Sequence, residues 1–324
     1  IGANFDLVRK NWPERLGTPP KNMVCGVPAY VDGRMLEITE HAGGRIVNRD
    51  RMWHYTEGLK NWDPIWPNHG IRILPGPSSL WFDAEGNRFH APNFPGFDTL
   101  STLETIQKTG YDYSWFILTE KIIEKEFALS GSEQNPDLTN KSIGDVLKRI
   151  MPGPPAPIQA FKNHGEDFVI ANDLRELVDG MNKLAGNDLL DFMKIKEQIL
   201  ARDREMDNKF TKDLQVNAIH GARNYIGDKL VRVAKPHKIL DTKNWPLIAV
   251  RLNILTRKTL GGLQTNLNGA VLGMDGQPIP GLFAAGEVSG FGGGGVHGYR
   301  ALEGTFVGGC IFSGRQVGRF LAEV

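Results

Sequence analysis

The spacing of apolar residues predicts helices through the middle of the chain. In residues 33–42 the apolar side chains recur at helical spacing, and Gly43 would end the helix. The same pattern predicts helices at 119–129, 143–151, 173–184 and 188–207. Asp173 is the expected N-cap of the helix that follows it, because its carboxylate can accept from free backbone N–H groups.

Strand-like patterns lie on both sides of these helices. Residues 78–91 alternate around a turn and predict a hairpin, and residues 245–255 predict a strand. Asp275–Gly276 predicts the turn of a later hairpin. Residues 50–81 are crowded with tryptophan and proline, so we expect neither a long helix nor a regular strand there. Their aromatic side chains are expected to pack a loop-rich region or to line a pocket. Together these elements favour an α+β fold over regular β-α alternation.

Composition narrows the class of partner. The chain has 324 residues, which is compatible with about two domains. Its formal net charge of +1 gives no reason to expect a nucleic-acid partner. No apolar run approaches the roughly 18 residues of a membrane helix. Cys25 and Cys310 do not form a disulfide framework, so we expect reduced thiols and a cytoplasmic location.

The sequence also lacks common metal and nucleophile motifs. It contains no CxxC or HxxxH pair that would suggest a metal site, and no GxSxG nucleophile elbow. Metal-dependent and serine-nucleophile chemistries therefore fit the sequence poorly, and the expected partner is a small-molecule substrate.

Residues 281–309 contain a GxGxxG pattern at 290–295. A dinucleotide fingerprint would need a second strand after the helix and an acid roughly 20 residues further on. Glu303 is too near to be that acid, and no second strand follows in this sequence. The pattern therefore does not predict a dinucleotide loop, which leaves either a flexible loop or a cofactor loop of another kind.

Several features favour the cofactor loop. Glu287 directly follows a short apolar strand, where its carboxylate could reach ligand hydroxyl groups. Tyr299 and Arg300 lie at the entrance to a predicted helix, whose free N–H groups favour an electron-rich oxygen. Glycines inside that helix cost about 1 kcal/mol each relative to alanine, which suggests that another surface approaches closely. They are Gly304, Gly308, Gly309 and Gly314.

The segment "GLFAAGEVSGFGGGGVHGYRALEGTFVGG" resembles the C-terminal flavin-binding segment of the fumarate reductase/succinate dehydrogenase/3-ketosteroid dehydrogenase flavoprotein family. The resemblance implies an FAD cofactor. By it, Gly286–Glu287 is the "AGE" end of a strand whose acid binds the ribityl hydroxyls. Thr305 and Phe306 supply backbone donors to the isoalloxazine. "VDGRMLEITEHAGG" is similar to another cofactor-contacting segment of the family and implies that Asp32 touches FAD.

The resemblance also implies a domain organisation. Residues 1–50 are expected to be the remainder of a first FAD-domain segment, and residues 244–324 the returning C-terminal FAD-domain segment. Residues 51–243 are expected to form a mostly helical substrate-capping domain that interrupts this incomplete, Rossmann-like FAD-binding domain. The family's N-terminal GxGxxG part is absent here, so a missing N-terminal fragment of the same protein is an expected partner.

On the substrate side, the resemblance makes Arg300 a candidate carboxylate clamp, although it could instead pair with Glu303. Lys258 lies in "TRKTLGG", where relatives carry a histidine, and could polarise a carbonyl. His54 lies near the position of the relatives' substrate-binding histidine, although a satisfied core histidine is an equal alternative.

One departure from the fumarate reductases concerns residues 95–97, where those enzymes carry a proton-donating arginine and this chain has none. The resemblance implies an FAD-dependent oxidoreductase acting on a CH–CH bond next to a carbonyl. The missing arginine and the aromatic surroundings favour a bulky apolar ketone, such as a ketosteroid, as its substrate. Because the steroid dehydrogenases of the family use tyrosines as acid/base groups, the resemblance makes Tyr299, Tyr55 and Tyr113 candidates for that role, although each could instead be a packed aromatic. The alternatives are a fumarate-reductase-like or aspartate-oxidase-like enzyme acting on a small dicarboxylate, and a non-catalytic fragment that binds no flavin.

Overall fold

The computed structural model describes residues 1–131, 133–135, 139–144, 153–290 and 305–323, without the side chains of Lys258 and Thr305. The described helices are α1 Phe5–Lys10, α2 Arg34–His41, α3 Thr99–Lys108, α4 Glu120–Glu126, α5 Ala156–His164, α6 Leu174–Ala185, α7 Phe192–Glu205, α8 Leu214–Ala222, α9 Ile226–Val231 and α10 Thr305–Glu323. The described strands are β1 Val24–Cys25, β2 Ile46–Val47, β3 Met52–Lys60, β4 Gly70–Pro75, β5 Leu80–Asp83, β6 Tyr113–Thr119, β7 Phe127–Leu129, β8 Phe168–Ala171, β9 Leu247–Thr259, β10 Gly262–Leu263, β11 Ala270–Leu272 and β12 Pro278–Phe283.

Most predicted helices are confirmed, with shorter bounds. At the start of α6 the Asp173 carboxylate accepts from the backbone N–H groups of Arg175 and Glu176, as its capping role predicts. The helix expected at 119–129 ends earlier, because Phe127–Leu129 leaves it to pair with β4 as strand β7. The helix expected at 143–151 lies largely outside the described residues.

The loop-rich interpretation of residues 50–81 is wrong. That stretch forms β3, β4 and the start of β5. In β3 the residues from His54 to Leu59 are all buried, so polar and apolar positions do not alternate and the usual strand signal is lost. The hairpin predicted at 78–91 is reduced to a single bridge between Phe82 and Arg88, and β5 pairs instead with β6.

The chain divides into two compact units. Unit 1 comprises Ile1–Pro19, Cys25–His54 and Thr256–Val324, and unit 2 comprises Pro20–Val24 and Tyr55–Leu255. The observed mixture of helices and sheet confirms the α+β class. The cofactor and capping roles expected for 1–50, 51–243 and 244–324 stay a prediction.

Unit 2 is built on an antiparallel sheet as well as on helices. Its strands follow the order β5-β6-β9-β3-β4-β7, and β8 also pairs with β9. The longest printed register runs from the pair Tyr113–Asn253 to the pair Thr119–Leu247. Between these pairs the side chains of both strands are largely buried, which places the core of unit 2 on this sheet.

Unit 1 carries two short antiparallel pairs, β2 with β10 and β11 with β12. The second pair turns at Asp275–Gly276, which confirms the predicted hairpin. Leu263, Val271 and Ala284 form a small apolar cluster on which partly buried side chains pack. Among the described residues, no helix has the length and apolar character needed to cross a membrane.

Candidate functional site

The predicted cofactor acid, Glu287, lies in a short 3-10 turn, Gly286–Ser289, just after β12. Gly286 has a φ of 78°, and a Cβ atom there would lie 3.5 Å from the Sγ of Cys310 on α10. The positive φ therefore favours glycine at this position, whereas the distance to Cys310 is an ordinary van der Waals contact that would admit a Cβ atom. The turn leaves the Glu287 side chain exposed and lining a cavity of unit 1.

Ser313 ties the terminal helix α10 to this turn. Its hydroxyl accepts a hydrogen bond from the backbone N–H of Gly286 at 2.9 Å and donates to the carbonyl of Gly309 at 2.8 Å. The first bond lies one residue before Glu287, so it limits where the carboxylate can lie. Further along α10, the rings of Phe283 and Phe320 pack with centroids 5.9 Å apart.

The cavity beside Glu287 has a volume of about 590 Å³. Its lining combines glycine backbone, apolar side chains and a few polar groups. It includes Thr259, Thr265, Asn266, Leu267, Gly286, Glu287, Phe306, Cys310, Phe312, Ser313 and Gln316. Three predicted cofactor residues, Gly286, Glu287 and Phe306, are thus brought together on one cavity.

Asp32 lies in a different cavity of unit 1, of about 340 Å³, which is mostly lined by polar side chains. Its carboxylate accepts from the backbone N–H of Arg34 at 3.1 Å and pairs with the Nε of the same residue at 2.6 Å. The backbone hydrogen bond from Arg34 lowers the pKa of Asp32. Thr259 is among the residues that line both cavities.

His54 is buried in unit 1 and stacks on Trp12, with ring centroids 5.4 Å apart and an angle of 12° between the planes. Neither ring nitrogen has a hydrogen-bond partner among the described residues. Burial lowers the pKa of His54 to about 4, so the ring is neutral near pH 7. It is not among the residues that line either cavity, although the adjacent Trp53 packs on Phe306, with ring centroids 5.5 Å apart.

Two other predicted acid/base candidates lie in unit 2. The ring of Tyr55 is fully buried, and the guanidinium of Arg72 lies 3.6 Å from its centroid. The hydroxyl of Tyr113 accepts from the side-chain amide of Asn187 at 3.0 Å. Burial raises the pKa of Tyr113, which makes this group a weaker candidate for a base at neutral pH.

The remaining candidates cannot be placed in this way. Tyr299 and Arg300 lie outside the described residues, as do the side chains of Lys258 and Thr305. Thr305 is the first residue of α10, which agrees with its expected position at a helix start.

Sequence reasoning missed part of the cavity wall. Cys310 lies four residues after Phe306, and Ser313 lies three residues after Cys310. Helical periodicity could therefore have identified both as neighbours of Phe306 on one face of the helix. No periodic pattern in the sequence would have identified Asn266 as a cavity residue. Its side-chain oxygen accepts from the backbone N–H groups of Asn268 and Ala270 and shapes the loop that closes one side of the cavity.

The residues of this cavity fit the flavin end of FAD. Its volume lies within the roughly 300–1,000 Å³ typical of cofactor and ligand pockets. The wall is largely apolar, as a flat aromatic ring requires, and the carboxylate of Glu287 can accept hydrogen bonds from hydroxyl groups.

Comparisons with known proteins show which proteins the chain is similar to. Over 324 residues the chain is 62% identical to a KsdD-like steroid dehydrogenase of Mycobacterium tuberculosis (strain CDC 1551 / Oshkosh), covering 100% of this chain and 57% of that protein. Over 307 residues it is 63% identical to a KsdD-like steroid dehydrogenase of Mycolicibacterium smegmatis, covering 95% and 56%. The chain therefore spans little more than half the length of these relatives.

Solved structures show the same fold. A 3-ketosteroid delta1-dehydrogenase from Sterolibacterium denitrificans superposes with a TM-score of 0.62 at 16% identity, over 99% of this chain and 51% of that one. A flavocytochrome c3 fumarate reductase superposes with a TM-score of 0.53 at 18% identity, over 99% and 44%. The FAD binding domain family matches residues 3–307. On this match, which covers nearly the whole sequence, the chain belongs to the FAD binding domain family.

Proposed function

We propose that this chain is the larger part of an FAD-dependent dehydrogenase that acts on a CH–CH bond next to the carbonyl of a steroid. The observation that carries the proposal is the cavity at Glu287, part of whose wall is α10. The hydrogen bond between Ser313 and Gly286 joins this helix to the turn that carries Glu287. The steroid assignment is supported by the names of the relatives that are 62–63% identical.

In this proposal the chain's own residues hold the flavin end of the cofactor. Glu287 accepts hydrogen bonds from the ribityl hydroxyls, and the first amides of α10, at Thr305 and Phe306, face the electron-rich edge of the ring. Asp32 contacts the cofactor from the neighbouring cavity. Bound FAD would supply the hydride acceptor of the reaction, and a base of the protein would take the proton from the carbon beside the carbonyl.

Four residues remain candidates for the substrate side: Tyr299, Arg300, Lys258 and His54. A neutral His54 has a free lone pair, so it could take a proton or accept a hydrogen bond but could not act as a cationic clamp. Residues 95–97 lack the arginine expected of a fumarate reductase, which favours an apolar ketone over a dicarboxylate.

Two finer proposals accompany this function. The remainder of the relatives' length would supply the half of the site that binds the ADP part of FAD, as an N-terminal fragment of the same protein. A cytoplasmic location is favoured because neither Cys25 nor Cys310 forms a disulfide in the described part of the chain.

The function can be tested by producing this chain together with the part of the M. tuberculosis relative that lies outside the match, called here the complementing segment. We expect the purified pair to carry flavin absorbance and to reduce a dye when given 4-androstene-3,17-dione, but not succinate. A pair that holds flavin yet oxidises only succinate would favour the dicarboxylate enzyme, and a pair that takes up no flavin would contradict the proposal.

A matched pair of variants tests the role of Glu287. Replacing a carboxylate that accepts from hydroxyls should weaken FAD binding by about tenfold or more, because such bonds contribute roughly 1.5–3 kcal/mol. Glu287→Gln should therefore bind FAD more weakly, whereas Glu323→Gln, at the exposed far end of α10, should bind it as the unmodified chain does. Equal FAD affinity for the two variants would remove Glu287 from the site.

A further inference from the structure

The short helix α9 in unit 2 buries none of its residues. Four apolar or aromatic side chains in and beside this helix are nevertheless exposed: Tyr225, Ile226, Leu230 and Val231 are 68%, 70%, 64% and 46% exposed. A helix of six residues gains little stability from its own hydrogen bonds, and surface helices are usually stabilised by burying an apolar face. Within the part of the chain that the structure describes, nothing covers these side chains of α9.

The loop that carries α9 is fixed at its base. The Nη1 of Arg223 donates to the backbone carbonyl of Val233 at 2.6 Å, which joins the two ends of the loop. Val233 and Ala234 are buried, and the carboxylate of Glu126 accepts from the backbone N–H of Ala234 at 2.9 Å. The exposed side chains of α9 are thus presented on a loop whose ends are held by hydrogen bonds and burial.

Basic residues accompany these exposed apolar side chains. Residues 223–235, called here the basic loop, contain four Lys or Arg and one Asp. The whole chain has 38 Lys or Arg and 37 Asp or Glu, so the chain outside the basic loop carries a negative formal charge. Lys229, Arg232 and Lys235 are exposed. None of these three forms an ion pair with another described residue.

Apolar and basic side chains follow neighbouring lines along α9. Ile226 and Leu230 are four residues apart and share one line. Tyr225 and Lys229 form the adjacent line, and the backbone N–H of Lys229 donates to the carbonyl of Tyr225 at 3.0 Å, as in a helix. Aliphatic, aromatic and basic side chains combined in this way are typical of segments that lie in the interface of a lipid bilayer.

A lipid surface fits the basic loop better than a protein partner does. Lysine is depleted in the interfaces between proteins, whereas exposed lysine and arginine are attracted to the negative surface of a bilayer that contains anionic lipid. Charge complementarity therefore favours anionic lipid, and the exposed apolar side chains favour partial insertion. A steroid is a mostly apolar molecule that collects in bilayers, so the same surface would hold the proposed substrate.

We propose that the basic loop binds the surface of an anionic phospholipid bilayer, with Ile226 and Leu230 in the interfacial layer and Lys229 and Arg232 against the lipid phosphates. Such binding goes beyond the proposed function and rests on it only for the steroid that would be drawn from the bilayer. It gives α9 the apolar surroundings that its own chain does not supply.

The test measures co-sedimentation of the full chain with vesicles of phosphatidylcholine, either alone or mixed with anionic phosphatidylglycerol. We expect binding to the mixed vesicles and much weaker binding to the neutral ones. Binding to the mixed vesicles should weaken when NaCl is raised from about 0.1 M to about 1 M, because the Debye length falls from about 10 Å to about 3 Å.

Matched variants identify the surface. Ile226→Gln should weaken binding to the mixed vesicles by about tenfold, because an apolar side chain no longer enters the bilayer. Lys229→Gln should weaken it by about fivefold, because one attraction to the lipid phosphates is lost. The controls are Met193→Gln on α7, where the side chain is 51% exposed, and Lys183→Gln, exposed on α6. Both controls should bind as the unmodified chain does.

The four variants should keep the circular dichroism spectrum of the unmodified chain, because each changes an exposed side chain. Equal affinity of Ile226→Gln and Met193→Gln, or equal binding to neutral and mixed vesicles, would overturn the inference. Loss of binding on addition of the complementing segment would also overturn it, because that segment would then cover the basic loop. Self-association that Ile226→Gln abolishes, without vesicle binding, would replace the bilayer by a second copy. Vesicle binding through the basic loop by an assembly that holds no flavin would contradict the proposed function alone.

Discussion

Glu126, the last residue of α4, is a buried carboxylate held by three donors in unit 2. It accepts from the backbone N–H of Ser78 at 2.8 Å, from the hydroxyl of Ser78 at 2.6 Å and from the backbone N–H of Ala234 at 2.9 Å. Burial raises its pKa to about 7, against an ordinary value of 4.5, although the three donors act in the opposite direction. One side chain thus joins three segments and titrates near neutral pH.

This raised pKa predicts a pH-dependent stability. The folded state holds the Glu126 proton up to about pH 7, whereas the unfolded chain releases it near 4.5, so the stabilisation present at low pH is lost as the pH rises through 7. The free energy of unfolding should fall by on the order of 3 kcal/mol over this range. Urea unfolding at pH 5 and pH 8 should show this fall in the unmodified chain and in Glu197→Gln, an exposed control on α7, but not in Glu126→Gln. The same fall in Glu126→Gln would refute the assignment.

Variants of Ser313 test whether its hydrogen bond to Gly286 positions the carboxylate of Glu287. Ser313→Ala removes the acceptor of the Gly286 N–H, and we expect a loss of about 1 kcal/mol in the free energy of unfolding. Ser313→Thr keeps the hydroxyl and should restore most of that loss. In the presence of the complementing segment, FAD should also dissociate faster from the alanine variant than from the threonine variant. Equal dissociation rates would make Ser313 a structural residue without influence on Glu287.

At the scale of elements, the sequence predicted secondary structure best where a local signal, such as a cap or an apolar face, agrees with the burial of the side chains. Helix α6 has one apolar face and a capping aspartate, and both are seen in the structure. Strand β3 has neither, because His54, Thr56 and Glu57 are buried within it next to apolar residues. Its form depends on neighbours far away in sequence, such as β4 and β9, which a local pattern cannot reveal.

The site shows the same division. Gly286, Glu287 and Phe306 were predicted from one continuous segment, and they do line one cavity. Asp32 lines the second cavity of unit 1, and only the fold reveals that the two cavities share Thr259 in their linings. The bond from Gly286 to Ser313 joins positions 27 residues apart, so no local pattern predicts it.

Two glycines, one within helix α10 and one packed beside it, should respond to alanine in opposite ways. Gly314→Ala should raise the free energy of unfolding of the chain by about 1 kcal/mol, since the helix gains propensity and the added Cβ meets open space. Gly269→Ala is the opposite case. Its φ is 77° and its Cβ would collide with the Cγ2 of Val317, so it should lower stability by at least about 1 kcal/mol. Thermal unfolding of the two variants checks both signs, and a destabilised Gly314→Ala would mean that α10 has contacts on this side.

At the scale of the whole molecule, FAD binding should increase the free energy of unfolding. For the chain joined by the complementing segment, FAD at 100 times its Kd should raise the free energy of unfolding by about 2.7 kcal/mol. A tenfold weaker Glu287→Gln at the same FAD concentration should gain only about 1.4 kcal/mol. ADP, which lacks the ribityl chain and the flavin ring, should stabilise both forms equally, because Glu287 would have nothing to hold. If Glu287→Gln lost the ADP effect as well, the carboxylate would be acting on the fold of the assembly; if it kept the full FAD effect, the flavin end would lie elsewhere.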